Sequence, residues 1–109
     1  EISYPTQYAG EPNVVSKIKE NLVVPEVLKL KKGALVMMRV NNFQEGFING
    51  TIGQIIGLTP DVLTIKKTNG EVIHVKKHVF EFLNGSGEII GRARNFPLTL
   101  AWAITIHKA

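Results

Sequence analysis

The chain has no cysteine. Disulfides, thiolate nucleophiles and cysteine-based zinc sites are therefore excluded. Acid is scarce: nine carboxylates stand against thirteen Lys and Arg, and Asp61 is the single aspartate. It follows Pro60 in a turn, where turn stabilisation is its expected role. Aromatic residues make up 7% of the chain, with one Trp and two Tyr. Small barrels that bind peptides need clustered Tyr and Trp, and that cluster is missing. No apolar run approaches the roughly 20 residues of a membrane span, so no membrane partner is expected. The opening "EISYPTQYAG" has neither a basic region nor an apolar stretch. No secretory signal is expected, and the location read from this is cytoplasmic.

What is present reads as one globular domain. The chain has 109 residues, 44% of them hydrophobic and 20% charged, with a formal charge of +4. A mild basic excess is compatible with nucleic acid and is also ordinary. The expected fold is mainly β: a small SH3-like β-barrel with an irregular N-terminal segment that contains one short helix. Residues 1–27 carry Pro5, Gly10 and Pro12 with little periodicity. A short strand is expected within Ile2–Tyr8. Val14, Ile18 and Leu22 recur at helical spacing, so Asn13 is expected to cap a short helix that Pro25 stops. From Leu28 to about residue 100 the pattern is β, with Asn-Gly at 49–50 and 69–70, Thr-Pro-Asp at 59–61 and Asn-Gly-Ser-Gly at 84–87 as punctuation. Short strands at regular turn spacing suggest a barrel or sandwich. Gly53 and Gly57 fall inside one strand, where they permit the bends a small barrel needs.

One hairpin can be registered in advance. A three-residue loop, Thr68-Asn69-Gly70, pairs Ile65 with Ile73 and Leu63 with Val75, and sets Lys67 against Glu71. A two-residue loop would set polar residues opposite apolar ones, so the apolar face selects the longer loop. Thr64, Lys66, His74 and Lys76 then share the outer face. The last segment, "FPLTLAWAITIHKA", also has period two: Leu98, Leu100, Trp102, Ile104 and Ile106 on one face, smaller or polar residues on the other.

Little of the sequence carries chemistry. His74 and His78 are four apart but lie in a strand-like stretch with no carboxylate between them, so they read as surface histidines rather than a zinc site. Gly85-Ser86-Gly87 is too short, and lacks the lysine, for a phosphate-binding loop. Neither Ser16 nor Ser86 sits in a nucleophile motif. Basic residues cluster at Lys29-Lys31-Lys32, Lys66-Lys67, Lys76-Lys77 and Arg92-Arg94. Phosphate binding requires several of them on one surface; solvated strand edges use lysines in the same way. Phe43 and Phe47 are the loop aromatics that could stack on bases, or pack the core instead.

The ordered set "LKLKKGALVMMRVNN", "INGTIGQIIGL", "NGEVIHV" and "FPLTLAWAITIHKA" resembles the C-terminal half of superfamily 1B DNA helicases of the RecD/TraA-like and petite-integration-frequency type. The resemblance covers about residues 28–109. It implies that residues 28–100 form the SH3-like subdomain 2B, with 1–27 as a connecting segment and 101–109 as the start of helicase motif V. Gly33, Ala34, Val36 and Met37 match the opening of the insertion, and Asn49, Gly50, Thr51 and Gly53 match its turn and second strand. Thr105, His107 and Lys108 match motif V, which in the family lies along the single-stranded DNA track. Lys66, Lys67 and Lys76 match no family position and are candidate DNA contacts on charge alone. The chain has no nucleotide-binding loop, no acidic magnesium motif and no later arginine motif. It is therefore expected to be a piece of a longer helicase and not itself an enzyme. The parent is expected to use ATP and magnesium in RecA-like domains, while this piece, a monomer, contacts single-stranded DNA and those domains. The competing reading is an SH3-like protein-interaction or RNA-binding barrel without motor function.

Overall fold

The computed structural model describes residues 1–101. Ten strands and one helix follow in chain order: β1 (Ile2–Pro5), β2 (Gln7–Gly10), α1 (Pro12–Asn21), β3 (Val27–Leu30), β4 (Leu35–Met38), β5 (Ile52–Leu58), β6 (Val62–Lys67), β7 (Val72–Lys76), β8 (His78–Leu83), β9 (Ile89–Asn95) and β10 (Leu98–Leu100). The domain is mainly β with one short helix, as the patterning implies. The ladders do not close into a barrel. They form three sheets, ordered β1-β3, β10-β4-β5-β6-β7 and β2-β9-β8. Chain corners, not ladder bonds, join them: Lys77 alone separates β7 from β8, and residues 96–97 separate β9 from β10.

The main core lies between the two-stranded and five-stranded sheets. Tyr4, Leu28 and Leu30 from one meet Val36, Met38, Ile55, Leu63, Ile65, Val75 and Leu98 from the other, with Phe96 at the junction. Alternation explains which residues turn inward. In β3, Leu28 and Leu30 are buried while Val27 and Lys29 face solvent, as period two requires. The third sheet is covered by α1. A Cβ on Gly91 would come within 2.8 Å of Ile18 and 2.9 Å of Val14, so the helix rests on bare strand backbone there.

The amino-terminal segment is built into this framework. The expected single strand is two, broken at Thr6, whose N–H and hydroxyl turn aside to the carbonyls of Glu26 and Pro25, each at 2.8 Å. The helix begins two residues earlier than the sequence suggests. Pro12 occupies its first turn and Glu11 the cap position, without a side-chain cap bond. The fixed φ of proline suits a helix start, which lets Pro12 rather than Asn13 set the boundary. Asn13 accepts only from the neighbouring Val14 N–H. The helix ends at Asn21, before Pro25.

The β6–β7 hairpin adopts the anticipated register, Leu63 opposite Val75 and Ile65 opposite Ile73. Gly70 takes φ +92° in the turn, and the Lys67 N–H donates to the Glu71 carbonyl at 2.7 Å. Two details differ from expectation. The 59–62 turn is held by Thr59, whose hydroxyl oxygen accepts from the Val62 N–H and donates to its carbonyl at 2.9 Å, rather than by Asp61. Leu98 is fully buried but Leu100 is 43% exposed. β10 is an edge strand, and core contact ends before Leu100 is covered. Trp102, Ile104 and Ile106 of the same expected face lie outside the described residues. Among the described residues, no helix is long and apolar enough to cross a membrane.

Candidate nucleic-acid interface

The outer face of the five-stranded sheet carries the lysines singled out above. On β6, Thr64 and Lys66 alternate with the buried Leu63 and Ile65; on β7, His74 and Lys76 alternate with Ile73 and Val75. Thr64 and His74 face each other, with Oγ1 and Nδ1 3.4 Å apart. Lys66 pairs across the sheet with Val72 and Lys76 with Val62. The two residues thus stand at opposite ends of the face, their backbones about 13 Å apart along the strands at roughly 3.3 Å per residue. Neither has an ion-pair partner among the described residues.

Lys67 is placed differently. Its ammonium donates to the Gly46 carbonyl at 2.8 Å and pairs with Glu71, and its side chain is 15% exposed. It straps the 41–51 loop to the hairpin tip, with its charge offset by the carboxylate. Lys77 turns inward and lies over the Tyr4 and Phe96 rings, 6.0 and 5.7 Å from their centroids. The remaining clusters lie on other sheets or, for Lys31 and Lys32, in the connection between β3 and β4. Lys29 is on β3. Arg92 and Arg94 are on the outward face of β9, where Arg92 pairs with Glu81 at 3.5 Å. The sequence clusters therefore do not merge into one surface; the fold joins Lys66 and Lys76 and sends the others elsewhere. Thr105, His107 and Lys108 lie outside the described residues.

The 41–51 loop is the most elaborately held irregular segment. The Asn42 carbonyl accepts from the Gly46 and Phe47 N–H groups at 3.0 and 3.1 Å, and its side-chain oxygen accepts from Glu45 at 3.0 Å. The Asn41 side chain accepts from the Asn49 N–H at 2.8 Å, and Gly50 donates to the Met38 carbonyl at 2.7 Å. Gly50 has φ +97°, which explains why glycine closes the Asn-Gly turn. Phe47 is buried in the core at 3% exposure, whereas Phe43 is 80% exposed. The two loop aromatics thus take opposite roles. Gly53, on the following strand, admits Ile65: a Cβ there would lie 2.5 Å from the Ile65 methyl.

Sequence reasoning missed two holding groups. Asn95 is fully buried. Its amide donates to the Tyr4 carbonyl at 3.0 Å and the Thr6 hydroxyl at 2.9 Å, and its oxygen accepts from the Phe96 N–H at 2.7 Å. Nothing in its neighbourhood in sequence marks it, because its partners are some ninety residues away. The strap from Lys67 to Gly46 was hidden for the same reason. No group of three or more metal-ligating side chains occurs among the described residues. His74 faces Thr64, and His78 packs edge-on against Phe80 at 4.6 Å.

Comparison with known proteins adds a consistent picture. Residues 13–58 match the family model described as DNA helicase Pif1, 2B domain. The ATP-dependent DNA helicase Pif1 of Bdellovibrio bacteriovorus is 36% identical over 102 residues, taking in 94% of this chain and 23% of that protein. The human ATP-dependent DNA helicase PIF1 is 30% identical over 106 residues, covering 92% of this chain and 16% of its own length. Unliganded Pif1 from Bacteroides sp. superposes with a TM-score of 0.81 at 30% identity, over 93% of this chain and 32% of that one. The Bacteroides Pif1 helicase in complex with ADP-AlF3 and single-stranded DNA gives 0.80 at 31% identity, over 94% and 24%. The chain spans a quarter or less of the length of the curated relatives it matches.

Proposed function

The chain belongs to the Pif1-type superfamily 1B helicases, of which it carries the 2B domain, and we propose that it serves as an accessory guide for single-stranded DNA in an ATP-dependent DNA helicase. In this reading the RecA-like motor domains of the parent protein hydrolyse ATP with magnesium, in the cytoplasm. The present domain holds the phosphate backbone while they step, and it does so as a monomer. The observation that carries the proposal is the outer face of β5–β7. There, two exposed ammonium groups, without carboxylate partners among the described residues, flank the Thr64 and His74 side chains. Lysine recognises phosphate as a point charge, and hydroxyl and imidazole groups can donate to the same oxygens. Lys66 and Lys76 are the main contacts; Lys67 contributes less, because Glu71 offsets its charge. Thr105, His107 and Lys108, which match motif V in sequence, are assigned to the same single strand.

Backbone contacts of this kind give weak and steeply salt-dependent binding, because each phosphate neutralised releases counterions. Titration of labelled oligo-dT into the chain at low and moderate salt tests the proposal. Binding that weakens with salt at a log–log slope of about −0.7 per contact is expected. Absence of binding at low salt would remove direct DNA contact from this domain.

A further inference from the structure

Phe43 projects into solvent beside an open groove of about 570 Å³ between the 41–51 loop and the β6–β7 turn. Phe47, Ile48 and Ile52 form the groove's apolar side, and Lys67 and Asn69 its polar side. We propose that this groove takes one unpaired base of a single strand, stacked on the Phe43 ring. The inference rests on the single-strand-guiding function proposed above and assigns to it a base site distinct from the phosphate-contacting lysines.

Four features support a flat, polar-edged occupant. The ring is exposed, but its loop is not loose. Backbone bonds around Asn42, the buried Phe47 anchor and the Lys67 strap to Gly46 hold the loop that presents it. An aromatic surface fixed in advance loses little freedom on binding. The groove wall includes Gly46 and Gly50, which add no side chain to obstruct a planar group. The Asn69 oxygen is engaged by the Glu71 N–H at 2.9 Å, which leaves the amide's two N–H donors for a base edge. The single ammonium in the lining, Lys67, is already paired with Glu71, so the groove is close to neutral and suits an uncharged planar base better than a phosphate or an acidic peptide. Every base has a π-face, so such a site tolerates any sequence.

The test compares oligo-dT with an abasic oligomer of the same length and phosphate count, by fluorescence anisotropy at low salt with the 109-residue chain. The chain is expected to bind oligo-dT about five- to a hundred-fold more tightly, the range that stacking of one base supplies. Phe43→Ala should bring oligo-dT down to the abasic level, and Phe43→Trp should keep the preference. Phe43 is 80% exposed, so far-ultraviolet circular dichroism should show both variants folded. Lys66→Gln with Lys76→Gln should weaken both oligomers alike and leave their ratio intact. Equal binding of the two oligomers by the unmodified chain overturns the stacking site while leaving the backbone-guiding function standing. It is also the outcome expected if a protein side chain fills the groove instead. A preference that survives Phe43→Ala likewise overturns it. Failure to bind either oligomer overturns both readings together.

Discussion

Replacing Asn95 with alanine tests how the amino-terminal strands are fastened to the rest of the domain. The residue sits at the end of β9, fully buried, and bridges β9 to Tyr4 and Thr6 through its amide while its oxygen caps the Phe96 N–H. Three hydrogen bonds disappear with the side chain, each of net value about 1 kcal/mol. The Phe96 N–H is then left buried without an acceptor, at a cost of about 1–3 kcal/mol. Part of that cost is already counted in the lost bond, so the expected destabilisation is about 3–5 kcal/mol. Against a domain stability of about 5–15 kcal/mol this is a large fraction. The urea midpoint, followed by far-ultraviolet circular dichroism, should fall steeply, and Tm by on the order of 15–30 °C. Asn95→Asp sharpens the point. An ionised carboxylate offers the Tyr4 carbonyl a second acceptor where a donor is required. Burial raises the folded carboxyl's pKa, so the loss relative to the unmodified chain should shrink as pH falls toward about 4 and level off below it, where the unfolded chain is protonated as well. A loss under about 1 kcal/mol for Asn95→Ala would show that the amide is not what joins these strands.

Gly53→Ala forces a Cβ to 2.5 Å from the Ile65 methyl and 2.9 Å from the Lys66 carbonyl. It should cost about 1–3 kcal/mol. Gly85→Ala, with nothing within 4 Å and ordinary backbone, should gain about 0.4–1 kcal/mol; thermal melts of the two variants check both. Burial pushes the Tyr4 phenol above its ordinary value of 10.0. The folded chain therefore keeps a proton that the unfolded chain releases. This stability is fully present below about pH 10 and is lost as pH rises through the raised value. Tyr4→Phe, which also gives up the 2.9 Å bond to the Thr59 carbonyl, should flatten that part of a Tm-against-pH series between pH 8 and roughly 11. Lys66→Gln with Lys76→Gln should lower the magnitude of the salt slope for oligo-dT by about 1.4, two contacts at roughly 0.7 each; an unchanged slope would take the outer sheet face out of the track.

The sequence by itself determined the local design. Alternation named the inward side of β6 and β7, because a strand has only two faces and only one can be covered. The three-residue turn at 68–70 was legible because a two-residue loop would have put His74 opposite Ile65 and Lys76 opposite Leu63. Asn-Gly pairs marked turns because only glycine accepts the left-handed backbone without strain. The family resemblance was equally a property of the chain, carried by short motifs in fixed order. The tertiary structure decided what depends on distant partners. It separated Phe43 from Phe47, two aromatics four residues apart, by sending one into the core and leaving the other outside. It separated Lys66 from Lys67, adjacent in sequence, by giving one to solvent and the other to Gly46 and Glu71. It opened the expected barrel into three sheets and recruited residues 1–27 to two of them through Asn95. Each of these outcomes turns on a contact between residues far apart along the chain, and no periodicity records who sits on the other side.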